Sequence, residues 1–259
     1  MKPIDHADFG RTVADYIAYR AGFPDSLHDR LARMGIDYAD RDVLDVGTGT
    51  GTLAHAMAAR GGRVTAVDPS EEMLAGARSL MRTDAPVTFR IGTGEATGCG
   101  DASMDVVTCG QCWHWFDRPA ACAELARVLR PDGHLLILYF DWLPLPDNLV
   151  ARTEALIEAF NPAWKGGGGV GMHPQVLTDL ATAGWRSIES FGYDAPVRYS
   201  HEGWRGRIRA SAGVAATKAP AEVAEFDAAL AALMAKDFPD DPLDVAHRVF
   251  AVVARPPSA

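Results

Sequence analysis

The sequence predicts an α/β fold in which a parallel sheet is covered by helices on both faces. Two observations predict it. Short runs rich in β-branched residues alternate with alanine- and leucine-rich stretches of helical spacing. The chain also has 259 residues, 48% of them hydrophobic, which is enough for one sizeable core. Strands that alternate with helices in this way form right-handed βαβ units, so both faces of the sheet are buried.

Five strands are predicted before residue 141. They cover Asp42–Val46, Arg63–Asp68, Val87–Ile91, Met104–Cys109 and His134–Phe140. The stretches between them, GTLAHAMAARG, PSEEMLAGARSLMR and RPAACAELARVLRPDG, are predicted helices. The last of these is expected to begin near Asp117 as N-cap and to end at the stop signal Pro131–Gly133. Two further helices are predicted before the first strand, in VADYIAYR and PDSLHDRLARMG.

The chain after Phe140 is less regular. HEGWRGRIRASAGVAA and PAEVAEFDAALAALMAKDF predict helices, and WRSIESFGYDAPVRY and HRVFAVVARP predict late strands. The four glycines at 166–169 fit either the hinge of a lid or a surface loop. One domain of residues 1–259 is expected. Its predicted parts are a helical cap at 1–41, a sheet core at 42–140, covering helices, loops and a late strand at 141–235, and a last strand at 246–256.

Charge and cysteine content exclude several classes of protein. The formal net charge of −9 argues against a nucleic-acid partner, because such binding depends on lysine and arginine. The four cysteines lie within 24 residues, Cys99 to Cys122, so they do not form a framework that joins distant parts of a secreted chain. There is no signal peptide at the start and no apolar run of about 18 residues. A soluble, cytoplasmic protein without a membrane partner is expected, and its oligomeric state is left open.

A glycine-rich loop follows the first strand. The pattern D-x-G-x-G-x-G runs from Asp45 to Gly51. A dinucleotide fingerprint would need glycine where Thr52 stands, and the phosphate-binding loop would need a lysine. Asp45 would repel a pyrophosphate but suits a ligand that carries an ammonium group. Asp68, at the end of the second strand, is placed to accept hydrogen bonds from ribose hydroxyls.

The segments VLDVGTGTGTLA and AVDPSEEML resemble the class I S-adenosylmethionine-dependent methyltransferases, best over residues 8–140. The resemblance implies a Rossmann-like sheet of seven strands, mostly parallel with the last strand antiparallel, and an added helical cover. It implies S-adenosyl-L-methionine as cofactor and S-adenosyl-L-homocysteine as product. A nicotinamide-dependent oxidoreductase and a non-catalytic cofactor-binding protein are the alternatives from other classes.

The resemblance also assigns the cofactor site. Asp45 faces the methionine ammonium, Asp68 holds the ribose diol and Met73 packs on the adenine. The remaining residues implied to bind the cofactor are Gly47, Thr48, Gly49, Gly94, Glu95, Gly110, Gln111 and Arg20, the last as partner of the ligand carboxylate under Tyr16 or Tyr19. In GTGEATG (92–98), Thr93 and Gly94 replace the family's frequent Asp-Ala, so the adenine contact falls to Thr93 or Glu95.

The stretch CGQCWHWFD (109–117) is open to several interpretations. Cys109 and Cys112 have redox spacing, but a reactive cysteine begins a helix, whereas these end a strand. A zinc site would lack an evident fourth ligand, so no metal is expected. Two small, half-buried thiols without chemistry are the simplest interpretation. HWFD is similar to the segment in trans-aconitate methyltransferases, which implies that Trp113, His114 and Trp115 reach toward the methyl group and its acceptor.

The expected reaction is methylation of a small molecule by in-line displacement. The expected methylated atom is the oxygen of a hydroxyl or a carboxylate, and N- and C-methylation are the alternatives. A hydroxyl or acidic carbon needs a base, for which His114 is the candidate, either as catalyst or as pocket lining. A carboxylate acceptor needs no base, because it has no proton to lose. The predicted acceptor pocket adds Trp142, Trp164, Trp204 and Arg205, although the aromatic residues fit a core and the arginine fits a solvated helix face equally well.

Overall fold

A computed structural model describes residues 19, 21–81, 84–211, 213–214 and 218–258. The predicted helix in VADYIAYR lies outside these residues except for Tyr19. In the described ranges, no helix is both long and apolar enough to cross a membrane.

A seven-stranded sheet forms the centre of the molecule, in the order β3-β2-β1-β4-β5-β9-β6. The strands β1 to β5 run parallel to one another, and β9 is antiparallel to both of its neighbours, β5 and β6. The predicted fold class, a mostly parallel sheet with an antiparallel last strand, is therefore confirmed. The strands of this sheet are β1 (Asp42–Val46), β2 (Arg63–Asp68), β3 (Val87–Ile91), β4 (Met104–Gly110), β5 (Leu129–Trp142), β6 (Arg186–Asp194) and β9 (His247–Arg255).

Helices cover the two faces because neighbouring residues of each central strand point to opposite sides. Leu135, Ile137 and Tyr139 of β5 lie in one apolar cluster, whereas Leu136 and Leu138 lie in the other. The helices are α1 (Asp25–Arg33), α2 (Thr52–Ala58), α3 (Glu71–Ser79), α4 (Arg118–Val128), α5 (Leu149–Phe160), α6 (Gln175–Thr182), α7 (His201–Arg209) and α8 (Pro220–Asp237). Helix α4 begins as predicted, because the Asp117 carboxylate accepts a hydrogen bond from the Ala120 N–H at 3.2 Å.

The predicted start of β5 at His134 was too late. The strand begins at Leu129, where helix α4 has just ended, and Leu129 pairs with Met104 of β4. A register shift between Met104 and Val106 allows this early pairing. The helix-stop signal at Pro131–Gly133 is therefore part of the strand, because pairing with a neighbouring strand overrides the local turn preference.

A third apolar cluster lies beyond the sheet. Helices α5, α7 and α8 contribute Ile157, Trp204 and Phe226 to it. Two short strands, β7 (Val197–Tyr199) and β8 (Leu243–Val245), pair with each other beside this helical cover. The subdivision of the chain into cap, core and cover remains a prediction.

Candidate active site

The glycine loop folds back at the carboxyl end of β1. Gly47, Gly49 and Gly51 all have left-handed backbone conformations, with φ of 66°, 57° and 76°. Glycine adopts this conformation without the steric cost that a side chain brings. The Thr48 N–H donates to the Val67 carbonyl at 3.0 Å, which fixes the loop against β2. A concave pocket results, lined by Ala21, Gly22, Phe23, Asp45, Gly47, Thr48, Thr50, Thr52, Leu53, Gly110 and Gln111.

Asp45 supplies a buried carboxylate to this pocket. Its two oxygens accept hydrogen bonds from the hydroxyls of Thr48 and Thr108, both at 2.6 Å. Burial raises the pKa of Asp45 to about 6, and the nearby Asp68 charge adds to the rise. The bonds that hold it all come from uncharged donors, so the carboxylate is placed to receive a cation. An ammonium group in the pocket would supply that charge.

This burial makes stability depend on pH. The pKa of Asp45 is about 6 in the folded protein against an ordinary value of 3.8, so the folded protein binds the proton more tightly than the unfolded chain does. The carboxylate therefore destabilises the fold above about pH 6, by about 3 kcal/mol, and the cost fades as the pH falls toward the ordinary value. We expect the gain in unfolding free energy from Asp45→Asn to be about 2 kcal/mol larger at about pH 8 than at about pH 4.5.

Urea unfolding of the protein without ligand at both pH values measures this difference. Asp132→Asn, which changes a fully exposed carboxylate, is the matched control and should show no such dependence. An equal effect of Asp45→Asn at both pH values would contradict the prediction.

Asp68 lies at the end of β2 and holds the backbone around the glycine loop. Its carboxylate oxygens accept from the N–H groups of Gly49 and Ser70, each at 2.9 Å. Burial raises the pKa of Asp68, although these two hydrogen bonds oppose the rise. Ser70 then caps helix α3, because its hydroxyl accepts from the Met73 N–H at 3.2 Å. Met73 is buried beneath this turn.

The two cysteines of CGQCWHWFD are packing residues of the loop. Both are buried, and the Cys112 thiol donates to the Val46 carbonyl at 3.1 Å. Burial raises the pKa of Cys112 well above its usual range, which opposes the thiolate that redox chemistry requires. A Cβ atom on Gly47 would lie 2.8 Å from the Cys112 Cβ. Cys112 therefore supports the underside of the glycine loop, which accords with the interpretation of two thiols without chemistry.

Gln111 joins the pocket to the next strand. Its backbone has a positive φ of 57°, and its N–H donates to the Leu138 carbonyl at 2.8 Å. Its side-chain amide donates to the Phe140 carbonyl at 2.6 Å. Gly110 beside it leaves little room for a side chain, since a Cβ there would lie 3.1 Å from Leu53. The two residues form the pocket wall at the carboxyl ends of β4 and β5.

Gly94, next to the predicted adenine contacts Thr93 and Glu95, lies against the ring of Phe116, which was not among the predicted site residues. Phe116 packs face-on against Gly94, where an added Cβ would lie 2.8 Å from the ring. The same ring reaches within 3.7 Å of a Cβ built on Gly47. Glu95 accepts a hydrogen bond from the Asp117 N–H at 2.7 Å, so it supports the start of helix α4. Phe116 belongs to the HWFD segment, so its place in that segment was the feature of the sequence that could have predicted a role in the site.

His114 and its two tryptophan neighbours form a single helical turn but face different surroundings. Trp113 is buried in the core, and its indole N–H donates to Asp179 at 3.0 Å. Trp115 is 41% exposed, and its ring lies 4.7 Å from that of His114. The His114 ring also stacks on Tyr139 at 6.3 Å. Of the three, His114 and Trp115 are exposed enough to contact a ligand, whereas Trp113 packs in the core beside the sheet.

The tryptophans of the cover lie together in its apolar cluster. Trp204 is fully buried, donates to the Thr153 hydroxyl at 3.0 Å and packs edge-on against Trp142 at 5.7 Å. Trp142 donates to Glu154 at 2.8 Å. Trp164 is buried in the same cluster. These contacts assign Trp204 and Trp164 mainly to packing, and leave the partly buried Trp142 as the one of the three nearest to the end of β5.

Arg205 is held by acidic neighbours within the cover. Its guanidinium pairs with Asp227 of α8, which also accepts from Arg209 at 2.8 Å. Burial alone would raise the pKa of Asp227, but the two arginines lower it overall. Arg205 therefore joins α7 to α8. Its guanidinium forms an ion pair within the protein, which is the alternative to binding an anionic acceptor.

The N-terminal segment reaches both the pocket and the cover. Arg20 and Tyr16 lie outside the described residues. Tyr19 packs against Gly206 of α7. Phe23 lies in the pocket wall, and a Cβ on Gly110 would be 3.3 Å from its ring. Phe23 lies three residues after Arg20, to which the resemblance assigned a cofactor contact, but Phe23 itself was not among the predicted contacts.

Comparison with known proteins identifies the core of the chain. Residues 44–137 match the model of the methyltransferase domain family. An uncharacterized methyltransferase of Mycobacterium tuberculosis is 40% identical over 132 residues, 51% of each chain. The ubiquinone/menaquinone biosynthesis C-methyltransferase of Rubrivivax gelatinosus is 38% identical over 129 residues, 48% of this chain and 51% of the relative. The chain thus spans about half the length of these curated relatives.

A solved structure covers nearly the whole chain. A proposed type II methyltransferase from Anaeromyxobacter dehalogenans superposes with a TM-score of 0.66 and 26% identity, over 93% of this chain and all of that one. Residues 44–137 match a methyltransferase domain, and the whole fold resembles that of a solved methyltransferase. These findings support the predicted enzyme class and S-adenosylmethionine as the cofactor, and the activity of the whole protein is a proposal. The closer likeness to trans-aconitate methyltransferases remains a prediction.

Proposed function

We propose that this protein transfers the methyl group of S-adenosylmethionine to an oxygen atom of a small-molecule acceptor. The observation that carries the proposal is the pocket of the glycine loop. The pocket holds the buried carboxylate of Asp45, whose hydrogen bonds come from uncharged donors. The glycines of the loop have positive φ, which other residues rarely adopt. When bound, the cofactor supplies an electrophilic methyl group on a sulfonium sulfur.

The residues of the pocket suit the parts of this cofactor. Asp45 is suited to its ammonium group, and the second carboxylate, Asp68, to a ribose diol beside the loop. Gly47 and Gly110 present backbone in the pocket wall, and neighbouring protein atoms leave no room for a side chain at either position. Gln111 is fixed at both its backbone and its side chain, so it can line the methionine part without rearrangement. The chain's contribution to rate is to hold acceptor and methyl group in line and to exclude water.

Removal of the Asp68 carboxylate tests the cofactor site. We expect Asp68→Ala to weaken binding of S-adenosylhomocysteine by about 10- to 150-fold, because hydrogen bonds to a charged group contribute about 1.5–3 kcal/mol. Calorimetric titration with S-adenosylmethionine, S-adenosylhomocysteine and NAD⁺ measures it. Asp132→Asn should bind as the parent does. Binding of NAD⁺ alone by the parent would refute the proposal in favour of an oxidoreductase.

The atom that receives the methyl group has a second candidate. The relative from Rubrivivax gelatinosus is a C-methyltransferase, which favours carbon. NMR of the methylated product separates the two, because O-methyl and C-methyl carbons have different chemical shifts. Turnover itself would exclude a protein that only binds the cofactor. A cytoplasmic location and the absence of nucleic-acid and membrane partners are part of the proposal.

A further inference from the structure

We propose that Asp141 and His173 form a general-base pair at the acceptor site, and that the acceptor is therefore a hydroxyl compound rather than a carboxylic acid. This inference rests on the proposed methyl-transfer function. It assigns proton removal to His173, a residue 59 positions after the histidine of the HWFD segment. It also decides between the two oxygen acceptors that the sequence left open.

The pair has the geometry of a base and its orienting group. The Nε2 atom of His173 lies 2.6 Å from a carboxylate oxygen of Asp141. A neutral imidazole that donates from Nε2 carries its lone pair on Nδ1. Nδ1 has no hydrogen-bond partner in the described part of the chain. The side chains are 33% and 31% exposed, so the pair lies at the surface of the protein rather than in the core.

The imidazole is held in place before any ligand binds. Its ring stacks on Tyr139 with centroids 3.5 Å apart and planes inclined by 13°. Gly171, two residues before His173, has a φ of 62°. A Cβ atom at this position would lie only 3.0 Å from the Cβ of Arg248, so the backbone packs closely there. The Arg248 guanidinium also donates to the Val170 carbonyl at 3.0 Å. The Asp141 hydrogen bond and the Tyr139 stack hold the imidazole, and Arg248 holds the segment before it, which suits a group that must meet a reacting atom.

The pair lies at the same edge of the sheet as the cofactor pocket. Asp141 directly follows Phe140, the residue whose carbonyl accepts from the Gln111 side chain in the pocket wall. Both belong to the carboxyl end of β5, next to the carboxyl end of β4. In open α/β sheets this edge of neighbouring parallel strands is where ligands bind. The rings of His114 and His173 both stack on Tyr139, with centroids 6.3 Å and 3.5 Å from it, so the two histidines lie near the same end of β5.

The chemistry of the pair indicates the class of acceptor. A hydroxyl oxygen must lose its proton as it attacks: the proton moves to Nδ1 of His173, the new O–C bond forms and the S–C bond of the donor breaks. Asp141 stabilises the imidazolium that results. A carboxylate acceptor needs no base, and the Asp141 charge would repel it. The exposed Trp115 and Met172 near the two histidines suit an apolar ring or chain.

Matched acceptor pairs test the inference. Phenol against benzoate and octanol against octanoate differ in the acceptor group alone, and formation of S-adenosylhomocysteine reports transfer. We expect transfer to the hydroxyl member of a pair. His173→Ala should lower kcat at least about 100-fold and Asp141→Asn about tenfold or more, with little change in KM. Added imidazole should restore part of the rate of His173→Ala, which a structural role would not allow.

Two controls lie at the other end of the same strand. His134→Gln and Asp132→Asn should keep the parent rate, since both residues are near the start of β5. Calorimetry with S-adenosylhomocysteine separates the two proposals: absence of binding by the parent refutes the proposed function. With binding intact, the base pair is refuted by transfer to carboxylic acids only or to no hydroxyl compound, by a normal rate of His173→Ala, or by a loss that imidazole does not restore.

Discussion

Gly47→Ala is expected to abolish measurable cofactor binding and to lower the free energy of unfolding by about 2–4 kcal/mol. Two costs add. An alanine must adopt a φ of 66°, which costs about 1–2 kcal/mol. Its Cβ would also lie 2.8 Å from the Cβ and 2.9 Å from the sulfur of Cys112. The Cys112 Cβ cannot rotate away, so the glycine loop itself must move, and the pocket moves with it.

Urea unfolding and calorimetry with S-adenosylhomocysteine measure the two effects. We expect the affinity to fall at least about 100-fold, or about 2.7 kcal/mol. Gly35→Ala is the matched control: its φ is 81°, but nothing lies within 4 Å of a Cβ there. It should show the backbone cost alone and normal binding. Equal losses of stability in the two variants would contradict the assignment to the Cys112 contact.

A double-mutant cycle isolates that contact. Cys112→Gly removes the two atoms, Cβ and Sγ, that would lie within 3 Å of a Cβ at position 47. Combined with Gly47→Ala, it should be less destabilising than the sum of the single changes, by about 1 kcal/mol or more. Additive effects would show that the loop does not rest on Cys112.

The parts of the fold that could be predicted from the sequence are those fixed by local pattern. The first three strands have the predicted bounds, because each is a short apolar run ended by glycine, aspartate or proline. Asp45 could be singled out because it stands two residues before the first glycine of the loop, and Asp68 because it ends the second strand. The early start of β5 could not be predicted, because it depends on the pairing of Leu129 with Met104, far away in sequence.

The same distinction holds for the candidate site. The glycine loop is one continuous segment, so its residues were found together. Asp141 and His173 were each visible in the sequence, but they are 32 residues apart, and only the folded chain shows that they form a hydrogen bond. Phe116 contacts Gly94 from another loop. The strands β7 and β8, three residues each, pair across more than forty residues, and no local pattern indicates such a partner.

Trp204→Ala is expected to lower the free energy of unfolding by about 3–5 kcal/mol, because Trp204 fills the centre of the helical cover. The residue is 0% exposed, and Tyr199, Trp142 and His247 pack around it, with ring centroids 5.5, 5.7 and 6.5 Å away. Loss of the indole leaves a cavity that these rings cannot fill. Urea unfolding measures the change, and Trp115→Ala, at a site that is 41% exposed, is the control with an effect of about 0.5 kcal/mol or less.

Trp204→Phe separates packing from contact with the acceptor. The phenyl ring keeps most of the packing but loses the hydrogen bond to the Thr153 hydroxyl, which contributes about 1 kcal/mol. If Trp204 only packs, this variant loses stability of that order while KM for the acceptor is unchanged. A rise in KM with unchanged stability would instead place Trp204 in the acceptor pocket, as the sequence first suggested. Since no surface of the ring is exposed, we expect the first result, with the acceptor bound nearer to the end of β5, beside Asp141 and His173.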